Sequence, residues 1–277
     1  MMKHRRLNFD NFASYETGFP FSGLHYASFF GIGGLVAALI KMECCDINEE
    51  DFWGHTPLAW AARNGHEEVV KILLKREEIS PNRPTTWDQT PLSLAAENGR
   101  KGVVKILLSR EEVDPEMPDN GGQTPLMCAA CNGHEEVVKM MLKREEVDPD
   151  KPANGGQTPL SSAAKYGYEG VVKILLRLDE VNPHKPDNAG RTPVEYAALG
   201  GHKKVIKILL DCEGADPDKL ETWDATLLWN AAVGGDEEAA KILLKHHEVN
   251  PDEPDDDGRT LLSHAASRRN GGDATRA

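Results

Sequence analysis

The stretch "CAACNGH" places Cys128, Cys131 and His134 in a C-x-x-C-x-x-H pattern. Cysteines three residues apart share a helix face and could offer two thiolates to zinc, but a structural zinc wants four ligands. A c-type haem needs His directly after the second Cys, and here Asn132 stands there. "GHEEVV" occurs at 65–70 and again at 133–138, setting two carboxylates beside a His. It is not the H-E-x-x-H of a metalloprotease, because the fourth following position is Val. The chain has no G-x-x-x-x-G-K-[ST] phosphate loop, and its Ser, His and Asp residues lack any motif context. No catalytic residue, cofactor or metal ligand is therefore assigned, and the chain reads as a non-enzyme.

The elements that carry these residues account for them. Shifted by 34 residues, the sequence lies on itself. Thr56-Pro57, Thr90-Pro91, Thr124-Pro125, Thr158-Pro159 and Thr192-Pro193 share one register, and Thr226-Leu227 and Thr260-Leu261 continue it. The unit reads G-x-T-P-L-x-x-A-A-x-x-G-x-x-x-V-V-K-I-L-L, clearest in "GHTPLAWAARNGHEEVVKILLKR". A repeat of this length predicts a solenoid. In its columns Cys128 aligns with Leu94 and Ser162, and Cys131 with Glu97 and Lys165. His134 aligns with His66 and His202, which have no cysteines nearby. Packing explains these residues better than zinc does. The "GHEEVV" carboxylates fall in the first turn of a second helix, where acid suits the dipole.

Each unit has local reasons for its shape. Thr is a good N-cap and Pro fits the first helical position. Leu and an Ala pair make a short inner helix, and Gly65, Gly99, Gly133, Gly167 and Gly201 supply a turn where positive φ is easy. Val69, Val70, Ile72, Leu73 and Leu74 form the sealing face of a second helix, with Lys71 and Lys75 outward. Linkers such as "VDPEMPDNGGQ" carry two prolines that forbid helix, then an Asn/Asp-Gly step that favours a tight turn. The expected unit is extended finger, helix, turn, helix.

The apolar run "GLHYASFFGIGGLVAALI" at 23–40 looks like a membrane span at first. Moved by 34, its Leu24, Ala27 and Gly31 fall on Leu58, Ala61 and Gly65, and "LVAALI" falls on "VVKILL". It is the first repeat with its charges replaced. A span needs about 20 unbroken residues, and glycines interrupt this run.

The motif T-P-L-x-x-A-A-x-x-G resembles that of ankyrin repeats, over about residues 22–277. The family's Gly-Ala-Asp after the second helix survives only at Gly214-Ala215-Asp216, and the fingers are long and proline-rich. That variant is similar to the C-terminal ankyrin arrays of fungal NACHT-type NTPase proteins, and "SGLHYASFFGI" looks like their opening unit. The resemblance implies an all-α repeat solenoid of helix-turn-helix units with finger loops, holding seven full units and one terminal half unit. The expected domains are an N-terminal extension or cap at 1–21, the array at 22–267 and a disordered tail at 268–277. The resemblance also implies a protein-protein interaction module in a signalling or sensor assembly. A non-functional or dependent fragment of a larger NTPase-ankyrin protein and a regulatory subunit of an enzyme are the other readings.

Among 277 residues, 39% are hydrophobic and 28% charged, with a net charge of −13. That argues against nucleic acid or anionic lipid as the main partner. Five cysteines show no disulfide framework, so a reducing, intracellular setting is expected, cytoplasmic or nuclear. The molecule is expected to be a monomer.

Ankyrin arrays bind through finger tips and the concave inner-helix face. Carried onto this chain, the variable positions there are Trp53, His55, Arg63 and Asn64, then Trp87, Gln89, Glu97 and Asn98, then Cys131, Asn132, Lys165 and Tyr166. Trp53, Trp87 and Trp223 share a finger-tip column, where an indole could be an exposed anchor or could lie across the next finger. Trp60 and Tyr196 share an inner-helix column and are read as core. The expected partner is another protein. A basic one would complement the acidic last finger around Asp255–257, although those acids read first as a solvated edge.

Overall fold

A computed structural model of the chain describes residues 21–42 and 45–212. The expected N-terminal cap except for its last residue, the seventh unit with Trp223, the terminal half unit and the C-terminal tail lie outside the described residues.

The Thr-Pro steps begin helices as their chemistry dictates. The hydroxyl oxygens of Thr56, Thr90, Thr124 and Thr158 accept the backbone N–H three residues on, at 3.1–3.3 Å. Each thereby satisfies one donor that a helix start leaves open. At Thr192 the device is reversed, with the Glu195 carboxylate accepting from both the threonine N–H and its hydroxyl. The resulting inner helices are α1 (Gly23–Phe29), α3 (Pro57–Asn64), α5 (Pro91–Glu97), α7 (Pro125–Cys131), α9 (Pro159–Tyr166) and α11 (Pro193–Leu199). Each is followed by a glycine at positive φ, from Gly31 at 72° to Gly201 at 69°. The chain then returns through the outer helices α2 (Gly33–Lys41), α4 (Glu67–Leu73), α6 (Lys101–Leu108), α8 (Glu135–Met141), α10 (Glu169–Leu175) and α12 (Lys203–Leu210). The described residues thus form an all-α array of helix pairs, with no strand among them.

Helices of seven to nine residues would not persist alone, so stacking must hold them. Consecutive inner helices pack on one another, and so do consecutive outer helices, giving two layers. The Ala pairs at 61–62, 95–96, 129–130, 163–164 and 197–198 are wholly buried. Having only a methyl group, they let the inner helices approach closely. Leu58, Leu92, Leu126 and Leu160 sit one turn earlier in the same layer, and Val69, Val70 and Leu73 with their counterparts seal the outer one. Each buried Leu contributes about 1.5–3 kcal/mol. Lys71, Lys105, Lys139, Lys173 and Lys207 are exposed on the opposite face.

The apolar run at 23–40 forms the helix pair α1–α2, as its register predicts. No helix among the described residues is long and apolar enough to cross a membrane. His25, buried in α1, is fixed at both nitrogens: Nδ1 accepts from the Ser22 N–H at 3.2 Å, so Nε2–H donates to the carbonyls of Glu49 and His55, both at 3.1 Å. The ring therefore ties the first unit to the finger of the second.

Candidate functional site

The candidate surface is where fingers meet inner helices, and it is built from the finger tips upward. In three fingers an Asp closes the turn. Asp119 Oδ1 accepts the N–H groups of Gly121 (2.9 Å) and Gln123 (2.8 Å), and Asp51 and Asp187 do the same in their own fingers. In turns of this kind the Asp side chain mimics a backbone turn. Successive fingers are then joined edge to edge. The N–H groups of Thr86, Asn120, Asn154 and Asn188 donate to the carbonyls of Trp53, Trp87, Gly121 and Gly155 at 3.0–3.1 Å. The Asn side chains repeat the link, with Nδ2 of Asn154 donating to the Asn120 carbonyl and Asn188 to the Asn154 carbonyl, both at 3.0 Å. The fingers are thus a continuous bonded edge.

At two glycines in one column of this edge a side chain would meet the next finger. A Cβ on Gly122 would stand 2.7 Å from the Asn154 nitrogen, and one on Gly156 2.6 Å from that of Asn188. Asp88 occupies that column with φ +58°, the one non-glycine residue at positive φ among the described residues.

Inner-helix aromatics close the surface from behind. Trp60 Nε1 donates to Asp51 Oδ2 at 2.9 Å, and the Tyr196 hydroxyl to Asp187 Oδ2 at 2.6 Å. Both rings are buried, in keeping with their reading as core. Burial pushes the Tyr196 phenol up, and the Asp187 carboxylate it donates to pushes it further.

The sequence-predicted positions fall into three neighbourhoods. Near the first two fingers, Trp53 is half-buried with its ring edge-on to Phe52 at 5.6 Å. Trp87 is 48% exposed. His55 is buried, stacked on Trp60 at 4.5 Å and set edge-on to Trp87 at 6.2 Å. It supports the Trp87 ring and presents no surface of its own. The Arg63 guanidinium lies over Trp60 at 5.6 Å, and Asn64 Nδ2 donates to the Phe29 carbonyl at 3.2 Å. In the middle, Gln89 Nε2 reaches Glu97 at 3.4 Å, while Asn98 and Asn132 each donate back to their own helix at 2.8 Å. Cys131 is half-buried beside them. Further along, the Lys165 ammonium lies 5.5 Å from the Tyr166 ring and 5.7 Å from that of Tyr196. The structure sets these residues as a strip along successive units and does not gather them into one cavity. Trp223 lies outside the described residues.

Family models agree with this geometry. One, described as Ankyrin repeats (3 copies), matches residues 24–119, 78–153, 103–187 and 145–221, and another, Ankyrin repeats (many copies), matches 228–275. This chain belongs to the ankyrin-repeat family. No individual curated protein matches it.

In this ankyrin array the histidines of the repeated motif brace neighbouring units. His134 Nε2 meets the Glu97 carbonyl at 2.9 Å, and since a carbonyl only accepts, that nitrogen carries the proton. His66 and His202 make the same bond, to Phe29 and Lys165, at 2.8 and 3.0 Å. The thiol of Cys128 is buried, and burial pushes it up, as do the nearby Glu97 and Asp119 carboxylates. Its side chain packs into the core beside the Ala pair. Several finger acids are also internal struts: Lys151 pairs with Glu116 and Lys185 with Asp150, each at 2.9 Å across adjacent units.

Sequence reasoning missed three contributors to the third neighbourhood, Gln157, Arg191 and Leu199, and read a fourth, Tyr196, as core. Gln157, Arg191, Tyr196 and Leu199 join Lys165 and Tyr166 around a groove of about 300 Å³. Leu199 shares the column of Lys165, and Gln157 and Arg191 share that of His55 and Gln89, so the columns were legible; what stacking adds is the meeting of these particular members.

Proposed function

We propose that this array is a non-catalytic recognition module that binds another protein through its finger tips and inner-helix face. Ankyrin repeats imply protein-protein interaction in general. The observation that carries the specific reading is the contrast along the strip. The framework columns are buried and constant, whereas Trp87 and Tyr166 hold large rings 48% and 41% exposed on rigid elements. Preorganised aromatics of this sort are common anchors at interfaces. The proline-rich finger variant supports a place within a larger signalling or sensor assembly of the fungal NACHT type. The free thiols of Cys128, Cys131 and Cys212 support a reducing, intracellular setting.

The test is affinity capture from source-cell lysate with the full chain as bait, beside a bait carrying Trp87→Ala and Tyr166→Ala. A protein retained by the first and lost from the second is the expected result. Equal retention by both baits removes these two rings from the site, and no retention by either removes the reading.

A further inference from the structure

The groove between the fifth and sixth units has a chemistry unlike the rest of this acidic chain. Lys165 and Tyr166 end α9, Tyr196 and Leu199 lie on α11, and Gln157 and Arg191 come from the two fingers above. Tyr166 and Leu199 are 41% and 46% exposed, so the lining offers apolar surface. Two cations stand over it. Lys165 shares the faces of Tyr166 and Tyr196, and the Arg191 guanidinium lies 5.0 Å from the Tyr196 centroid.

The two cations differ in what balances them. Arg191 donates to Asp187 Oδ2 at 3.1 and 3.2 Å, so its charge is met within the finger. Lys165 has no ion pair among the described residues, unlike Lys139, Lys151 and Lys185. A chain with net charge −13 supplies carboxylates in plenty, yet this ammonium rests on ring faces. Cation–π contact holds it in place without neutralising it. An ammonium so held, beside exposed Tyr and Leu side chains, is complementary to a carboxylate next to an apolar side chain.

We propose that this groove is a docking site for a partner segment carrying Asp or Glu beside a Leu, Met or aromatic residue. The acid meets Lys165, and the apolar side chain lies between Tyr166 and Leu199. Tyr196 forms the floor, held by Gln157 Nε2 at 2.9 Å and by Asp187. The site rests on the reading of the array as a protein-binding module. It makes the complementary segment acidic here, in contrast to the basic partner expected from the finger acids.

The test is a selection of displayed short random peptides on the immobilised full chain, with binding of the enriched peptides then measured on variants. The enriched peptides should carry an acid within two positions of a large apolar residue. Lys165→Glu and Tyr166→Ala should each weaken them by about tenfold or more, and Lys165→Arg should preserve binding. Both variants sit at exposed positions, and unchanged circular dichroism and melting establish that they are folded. Enriched peptides that are basic, or that bind Lys165→Glu as well as the parent, overturn the assignment. Peptides lost with Trp87→Ala but indifferent to Lys165→Glu also overturn it while leaving the protein-binding reading intact. If nothing is enriched the assignment falls, and the lysate capture decides the broader reading separately.

Discussion

Tyr196, Arg191 and Ala189 all donate to one carboxylate, that of Asp187. Burial pushes this group up. The bonds from the Tyr196 hydroxyl, the two backbone N–H groups and the guanidinium outweigh it and hold the carboxyl below its ordinary value of 3.8. A group depressed on folding stabilises the protein above its unfolded pKa, and that contribution is lost as pH falls through the folded value. Removing the carboxylate also leaves a buried tyrosine hydroxyl without its acceptor. Asp187→Ala should therefore destabilise the array by about 2–4 kcal/mol near neutral pH. The gap between parent and variant should stay constant down to the ordinary aspartate range and close only below it. Urea denaturation across that range checks this; a gap that does not change with pH would show that the carboxylate's charge plays no part.

The helix turn and the histidine that follows in the next unit form the brace between elements. Gly99 has φ +64°, and a Cβ there would stand 2.7 Å from the His134 ring. Two penalties should thus fall on Gly99→Ala: the left-handed backbone, about 1–2 kcal/mol, and the clash. In a His134→Ala background only the first should remain, so the two substitutions should couple by about 0.5–3 kcal/mol in thermal or urea denaturation. Strict additivity would mean that the ring does not confine the turn. The glycine column was legible in the sequence, because positive φ is a demand of one residue on itself. The histidine column was visible, but its purpose was not. Its partners are backbone carbonyls 37 residues away, and a carbonyl leaves no trace in residue type. Lys151 and Lys185 likewise pin Glu116 and Asp150 of the preceding unit, pairs that the sequence reading did not foresee. His55 is hidden for a reason peculiar to its unit: Trp60 gives it a ring to stack on, whereas the same columns hold Gln89 and Leu94 one unit later.

At the scale of the molecule, the stack is bonded in three parallel ways: Ala-lined inner helices, Val- and Leu-sealed outer helices, and the hydrogen-bonded finger edge. All three link neighbours in the repeat order. Stability in such an array is a sum of unit terms and nearest-neighbour terms, so damage should spread by contact and fade with distance. Leu126 tests this, being wholly buried in α7 between the units of α5 and α9. Leu126→Ala should cost about 2–5 kcal/mol, the range for a core leucine whose surroundings only partly collapse. Native-state hydrogen exchange should lose protection most in α7 and α8, less in α5 and α9, and least in α1 and α11. A uniform loss across the described helices would instead mean that the array unfolds as one cooperative body. The graded result also bears on recognition. Trp87 and the Lys165 groove sit on different units, so a defect beside one should leave the other able to bind.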